Sequence, residues 1–211
     1  MITLVDYKAG NLTSVRKAFT HLGQESVVTD DPALVRQATA IVLPGVGHFF
    51  TTERLTSSGV REAVCEAIER GVPFLGICVG MQWQFAGSTE APEAPGLALF
   101  EGACERFNTT LKVPHVGWNQ IRRAPGSAPS RLLEGVPDDS FVYFTHSYRA
   151  PVVDGVSAVT TYGETFAAAV ERDNVFGVQF HPEKSGDTGL RILKNFCDYA
   201  AKGVRDEHWD H

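Results

Sequence analysis

A chain of 211 residues, 43% hydrophobic and 21% charged, is long enough to bury one sizeable core and too evenly composed to be disordered. Its formal charge of −6 and lack of a basic stripe exclude a protein built to bind nucleic acid. No apolar run approaches a membrane span, the first residues lack a signal-peptide pattern, and the four cysteines lack the CxxC spacing of a zinc ribbon; a cytoplasmic protein without a disulfide framework is expected.

In chain order, 2–5 reads as a short buried strand. Over 11–22, Leu12, Val15, Phe19 and Leu22 recur at helical spacing, and Gly23 is suited to end that helix. Further strands are expected at 26–29 and 40–43, the second running into the sequence PGVG at 44–47. Between 60 and 70, Val60, Ala63, Val64, Ala67 and Ile68 share one helix face, closed by Gly71. A strand follows within GVPFLGICVGMQ (71–82), where Cys78 stands between Gly76 and Gly80 with one residue on either side. This is the cysteine form of a nucleophile elbow, in which a tight strand-to-helix turn exposes the reactive side chain. The first amides of the next helix then favour thiolate over thiol, and a free N–H such as that of Val79 can bind a developing oxyanion. The βαβα alternation predicts a parallel sheet covered by helices, with active residues at the carboxyl ends of its strands.

Beyond Gln84 the pattern changes. Strands are expected at 97–107, 141–144, 157–161 and 166–172, several of them antiparallel, with a turn at Asp173 and Asn174 into 175–180. Segments 88–95 and 124–129 read as loops, and Arg122 and Arg123 as part of a solvated loop. The strand at 175–180 delivers His181, followed by Pro182 and Glu183. Pro182 interrupts the extended chain, so a bend can bring the Glu183 carboxylate round to the imidazole. Neither the elbow nor the His-Pro-Glu run is needed for packing, and together they compose a triad for acyl transfer: Cys78 as nucleophile, His181 as base, Glu183 as its orienting carboxylate. A helix from about 187 to 202 buries Leu190, Leu193, Phe196 and Cys197. The expected fold is a single α/β domain over 1–203, flavodoxin-like, with a largely parallel central sheet and an antiparallel extension. The remainder, 204–211, is expected to be a flexible tail; His208 and His211 have a spacing compatible with metal ligation, but a frayed terminus is the expectation and no metal site is assigned.

The Cys78 and His181-Pro-Glu183 motifs resemble those of the class I (triad) glutamine amidotransferases. Four more segments, DYKAGN (6–11), PGVGHF (44–49), PHVGWN (114–119) and HPEKSG (181–186) with the helix at 190–196, resemble the glutaminase subunits of imidazole glycerol phosphate synthases in particular. The likeness covers nearly the whole chain. It implies hydrolysis of glutamine through a Cys78 thioester and transfer of ammonia to a cyclase subunit of (β/α)8 type in a heterodimer serving histidine biosynthesis, with no organic cofactor or metal. It also implies that the Val46 N–H joins that of Val79 in an oxyanion hole, that Gly47, Gln82, Glu90, Ser147 and Tyr148 contact glutamine, and that Asn11, Trp118, Tyr143 and Lys184 face the partner. Lys8, Ala9 and His48 depart from the family's usual pattern without touching the triad. A glutaminase serving another amidotransferase, a cysteine peptidase of similar fold and a non-catalytic binding subunit are the alternatives, disfavoured respectively by PGVG and HVGWN, by Gln82, and by the intact triad.

Overall fold

The computed structural model describes residues 1–206, and side chains through residue 202. The first half comprises β1 (Ile2–Val5), α1 (Leu12–His21), β2 (Ser26–Thr29), α2 (Pro32–Arg36), β3 (Ile41–Gly45), a 3₁₀ turn (Phe49–Thr52), α3 (Glu53–Ser57), α4 (Val60–Glu69), β4 (Phe74–Cys78) and the short α5 (Val79–Gln82). Local chemistry sets these boundaries. The Asn11 side chain accepts from the Ser14 amide at the start of α1, and Asp31 caps α2 with Pro32 in its first turn. Gly23 and Gly71 follow α1 and α4 at φ of 71° and 85°, the left-handed conformation that closes a helix.

The second half adds β5 (Glu105–Arg106), β6 (His115–Arg123), β7 (Ser140–His146), β8 (Tyr148–Arg149), β9 (Val156–Tyr162), β10 (Glu164–Arg172), β11 (Val175–Val178), a 3₁₀ turn (Pro182–Lys184) and α6 (Gly186–Asp206). Among the described residues, nine strands form one sheet in the order β2-β1-β3-β4-β11-β10-β9-β6-β7, and β5 pairs with β8 separately. From β2 to β11 the neighbours are parallel, and from β11 to β7 they are antiparallel. This is the mixed architecture expected. Strands β1, β3, β4 and β11 are buried at every residue, because helices cover both faces of the parallel part.

Two expectations need correction. The segment 97–107 is not a strand apart from Glu105–Arg106. The amides of Leu97, Leu99 and Ala98 instead donate to the carbonyls of Trp83, Gln84 and Phe85, wrapping the chain around the end of α5, and Ala98 at φ 54° and Gly102 at φ 81° break its extension. Arg122 and Arg123 lie in β6 rather than in a loop; they are exposed, and pair with Asp139 and Asp138 through the Arg122 guanidinium and the Arg123 amide. The polarity of β6 hid it: His115 faces inward while Val116 and Trp118 face outward, the reverse of a half-buried strand. Helix α6 continues through residue 206, past the expected start of the tail. The rest of that tail, 207–211 with His208 and His211, lies outside the described residues.

Candidate active site

Strand register assembles the site. Gly45 at the end of β3 pairs with Cys78 at the end of β4, and Val178 at the end of β11 pairs with Ile77, so three carboxyl ends adjoin. Cys78 adopts φ 54° and ψ −107°, a conformation that L residues avoid and that the strand-to-helix turn imposes. The turn is compact enough to exclude side chains at its flanks. A Cβ on Gly80 would sit 2.0 Å from the Leu43 carbonyl oxygen, and one on Gly76 would sit 2.3 Å from the Gly80 carbonyl oxygen. One on Gly45 would come within 2.3 Å of the Tyr7 hydroxyl and 2.8 Å of Val79 Cβ, so β3 abuts the elbow directly.

His181 leads into the turn Pro182–Lys184, which folds Glu183 back so that its Oε1 lies 2.9 Å from His181 Nδ1. Both side chains are buried, at 2% and 1% exposure. Hydrogen bonds hold this segment against β7: the His181 amide donates to the Tyr143 carbonyl, the Tyr143 amide to Ser185 Oγ, and that hydroxyl to the His181 carbonyl. With Nδ1 committed to Glu183, Nε2 is the nitrogen left for the thiol; it is buried and holds no hydrogen bond. Burial opposes charge on this ring, but Cys78 and Glu183 outweigh it and raise its pKa to about 10. The ring is therefore an imidazolium at neutral pH, suited to sit beside a thiolate and to protonate a leaving amine.

One cavity of about 300 Å³ is lined by Cys78 and Val79 together with Gly47, Gln82, Glu90, Ser147 and Tyr148, which gathers the residues expected at substrate. Gln82, on α5, donates its amide to the Tyr148 carbonyl, and Glu90 Oε2 accepts from the Phe49 amide at 2.7 Å, tying loop 88–95 to the turn after PGVG. Val46 is half-buried, one residue past the end of β3. A larger cavity of about 590 Å³ lies between loop 124–129 and the start of β9, at the other end of the sheet from Cys78 and lined by none of these residues. Among the described residues no group of three or more His, Cys, Asp or Glu could hold a metal, and no helix is long and apolar enough to cross a membrane.

Trp118 and Tyr143 face each other across β6 and β7 with ring centroids 6.0 Å apart, and Lys184 Nζ lies 5.8 Å from the Tyr143 centroid. The same outer face exposes Val116 and Phe141, making an apolar edge to the sheet, with Trp118 55% exposed. Asn11 is occupied in capping α1.

Of two further residues at the site, the sequence does not single out Gln179, and it offers His146 only as a substitute base for His181. Gln179, fully buried, places Nε2 3.6 Å from Cys78 Sγ. It stands two positions before His181, a same-face spacing that carried a usable signal. His146 also lines the cavity; its Nδ1 donates to the Tyr148 carbonyl, and burial pushes its pKa down to about 3, too low for a general base at neutral pH.

Residues 3–199 match the family described as Glutamine amidotransferase class-I. The chain is 47% identical over 208 residues to imidazole glycerol phosphate synthase subunit HisH of Syntrophotalea carbinolica, covering 94% of this chain and 100% of the relative. It is 46% identical over 200 residues to the subunit of the same name from Moorella thermoacetica, covering 92% and 93%. A solved structure described as glutamine amidotransferase superposes with a TM-score of 0.74 over 95% of this chain and 100% of that one; at 20% identity the likeness is one of fold.

Proposed function

The chain belongs to the class-I glutamine amidotransferase family, and from that membership we infer that it is the glutaminase subunit of an imidazole glycerol phosphate synthase, acting in histidine biosynthesis. The observation that carries its chemistry is the strained elbow at Cys78, opening on the same cavity as Gln82 and Glu90 with the His181–Glu183 pair beside it.

The Cys78 thiolate attacks the side-chain carbonyl carbon of glutamine. The resulting oxyanion is held by the amides of Val79 and Val46, the carbon–nitrogen bond breaks, and ammonia leaves with a proton from the His181 imidazolium. Neutral His181 then takes a proton from water as that water attacks the thioester. Glutamate departs, and Cys78 is left as thiolate beside a recharged imidazolium. Glu183 keeps the ring oriented and supports its charge through both steps. In the substrate cavity Glu90 offers a carboxylate for the ammonium of glutamine, with Gly47, Gln82, Ser147 and Tyr148 around the rest of the molecule.

The ammonia passes to a cyclase subunit of (β/α)8 type, in a cytoplasmic heterodimer with lyase activity. There a phosphoribulosyl-formimino precursor yields imidazole glycerol phosphate and aminoimidazole carboxamide ribotide. Trp118, Tyr143, Lys184 and Asn11 face this partner; an exposed tryptophan beside a tyrosine is the composition of an interface centre. The hydrogen bonds linking Tyr143 to the His181 amide and the Ser185 hydroxyl provide a short route from that face to the triad.

The test is Cys78→Ser, assayed for glutamate release and, assembled with the cyclase, for product formation from glutamine or from ammonium salt. Glutamine-dependent synthesis is lost and ammonium-dependent synthesis persists, because only ammonia generation uses the thiolate. Glutamine-dependent synthesis at the wild-type rate would overturn the assignment.

A further inference from the structure

A row of buried amides runs from the nucleophile to the segment after β7. The Gln82 amide nitrogen donates to the Tyr148 carbonyl at 2.9 Å and to Gln179 Oε1 at 3.0 Å, and Gln179 Nε2 donates toward Cys78 Sγ at 3.6 Å. The orientation of each amide follows from the one before it. A peptide carbonyl can only accept, so the Tyr148 oxygen decides which end of the Gln82 amide faces it. Gln82 then offers a second N–H to Gln179, which must answer with its oxygen. The NH₂ of Gln179 is left as the end facing sulfur. The Tyr148 carbonyl is pinned from a second side by His146 Nδ1 at 2.8 Å. Gln179 has no solvent exposure, and its own amide is bonded to the Ala168 carbonyl, so its side chain has no alternative partner in water.

We propose that Gln179 stabilises the Cys78 thiolate by donating a hydrogen bond to it, and that Gln82 and the Tyr148 carbonyl hold its amide in the orientation that does so. The proposal rests on the reading of Cys78 as nucleophile and adds a group that touches the reacting atom. An N–H facing sulfur bonds more strongly to a thiolate than to a thiol, so it favours the reactive form. The other titratable groups facing Cys78 are His181 and, behind it, Glu183 after β11, Tyr7 after β1, Cys104 before β5, and Glu90 and His146 across the cavity. Burial raises the pKa of both Tyr7 and Cys104 and keeps them neutral, so neither competes with Gln179 as a charged partner. His181 supplies the countercharge, and Gln179 a directional contact that carries no charge of its own. The arrangement also links the nucleophile to the segment bearing Ser147 and Tyr148: moving the Tyr148 carbonyl would release Gln82 and free the Gln179 amide to turn.

The experiment follows carbamidomethylation of Cys78 by iodoacetamide in the full chain between pH 5 and 10, read on the Cys78 peptide by mass spectrometry. Gln179→Met keeps length and burial while removing the donor. Its thiolate titration should move up by about one pH unit, with alkylation slowed about tenfold at pH values below both midpoints. Gln179→Glu retains an acceptor for Gln82 but sets an oxygen against sulfur, so its midpoint should lie above that of Gln179→Met. Gln82→Leu should raise the midpoint as well, and the double variant Gln82→Leu/Gln179→Met no further than Gln179→Met alone. A midpoint unchanged from wild type in Gln179→Met, or one in Gln179→Glu no higher than in Gln179→Met, overturns the proposal; should the Met variant not fold, the Glu and Gln82→Leu arms decide it. Alkylation requires no glutamine turnover, so these outcomes are separate from the Cys78→Ser result that tests the enzymatic reading.

Discussion

Two inactive variants of the nucleophile measure the strain in the elbow. Cys78 sits at φ 54° and ψ −107°, where a Cβ costs about 1–3 kcal/mol. Cys78→Ala and Cys78→Gly both remove the buried sulfur, so that loss cancels between them. Alanine keeps the Cβ and the strain. Glycine relieves the strain but returns about 0.4–1 kcal/mol of conformational freedom to the unfolded chain. The difference leaves the glycine variant equal to the alanine variant or more stable by as much as about 2.6 kcal/mol, the reverse of the usual order within a strand or helix. For a domain of this size each kcal/mol corresponds to about 2–4 °C in Tm. Urea unfolding of the two variants at matched m-values, checked by a thermal scan, reads the difference. A glycine variant about 1 kcal/mol less stable than the alanine variant would show that the elbow stores no strain, and that Cys78 is held out by packing alone.

Replacing His181 by alanine should damage glutamine hydrolysis about as much as Cys78→Ser, whereas Glu183→Gln, which can still accept from Nδ1, should retain roughly 10²-fold more activity in kcat; equal losses would mean that the carboxylate does more than orient and support the ring. His115 is stacked on Tyr162 with centroids 4.0 Å apart, and burial lowers its pKa to about 4 from 6.5. Between those values the unfolded chain binds a proton that the native state refuses, so stability falls by about 1.4 kcal/mol per pH unit on acidification. In His115→Phe the loss of urea midpoint between pH 7 and 5 should be smaller than in wild type, and an identical loss would refute the assignment of that proton. With Gly45 and Gly47 on either side, the Val46 peptide can turn its N–H away from Cys78 until the partner docks; the isolated chain should then hydrolyse glutamine slowly and respond to the cyclase with its ligand bound by 10²-fold or more, since a missing oxyanion donor costs on the order of 10²–10³ in rate. Trp118→Ala should weaken that docking by about 30-fold or more in Kd without lowering the Tm of the isolated subunit, and a fully active isolated chain would show that the Val46 amide needs no partner to reach the oxyanion.

Much of the parallel half was legible because its signals are local. Gly23 and Gly71 mark helix ends through their own φ, the continuous apolar runs of β1, β3 and β4 require cover on both faces, and the glycines around Cys78 declare a turn too tight for side chains. The bend at Pro182 is equally local, and it alone brings Glu183 to His181. Strand β6 was not legible, since an inward His115 and outward Val116 and Trp118 invert the polarity that burial normally imposes; the outward apolar side chains make sense once a second protein is expected to cover them. Segment 97–107 misled for the opposite reason, its apolar residues packing as an irregular wrap around the end of α5 rather than as a ladder. By itself the sequence determined that this chain carries a cysteine elbow, a histidine–carboxylate pair and the residues of a glutamine amidotransferase. That these groups meet was decided by the pairing of β4 with β11, which brings Gln179 to the sulfur of Cys78 across 101 residues of chain. Local propensity sets the shape of each element, but the register between distant strands is chosen by how the whole core packs, and the chemistry of the site depends on that register.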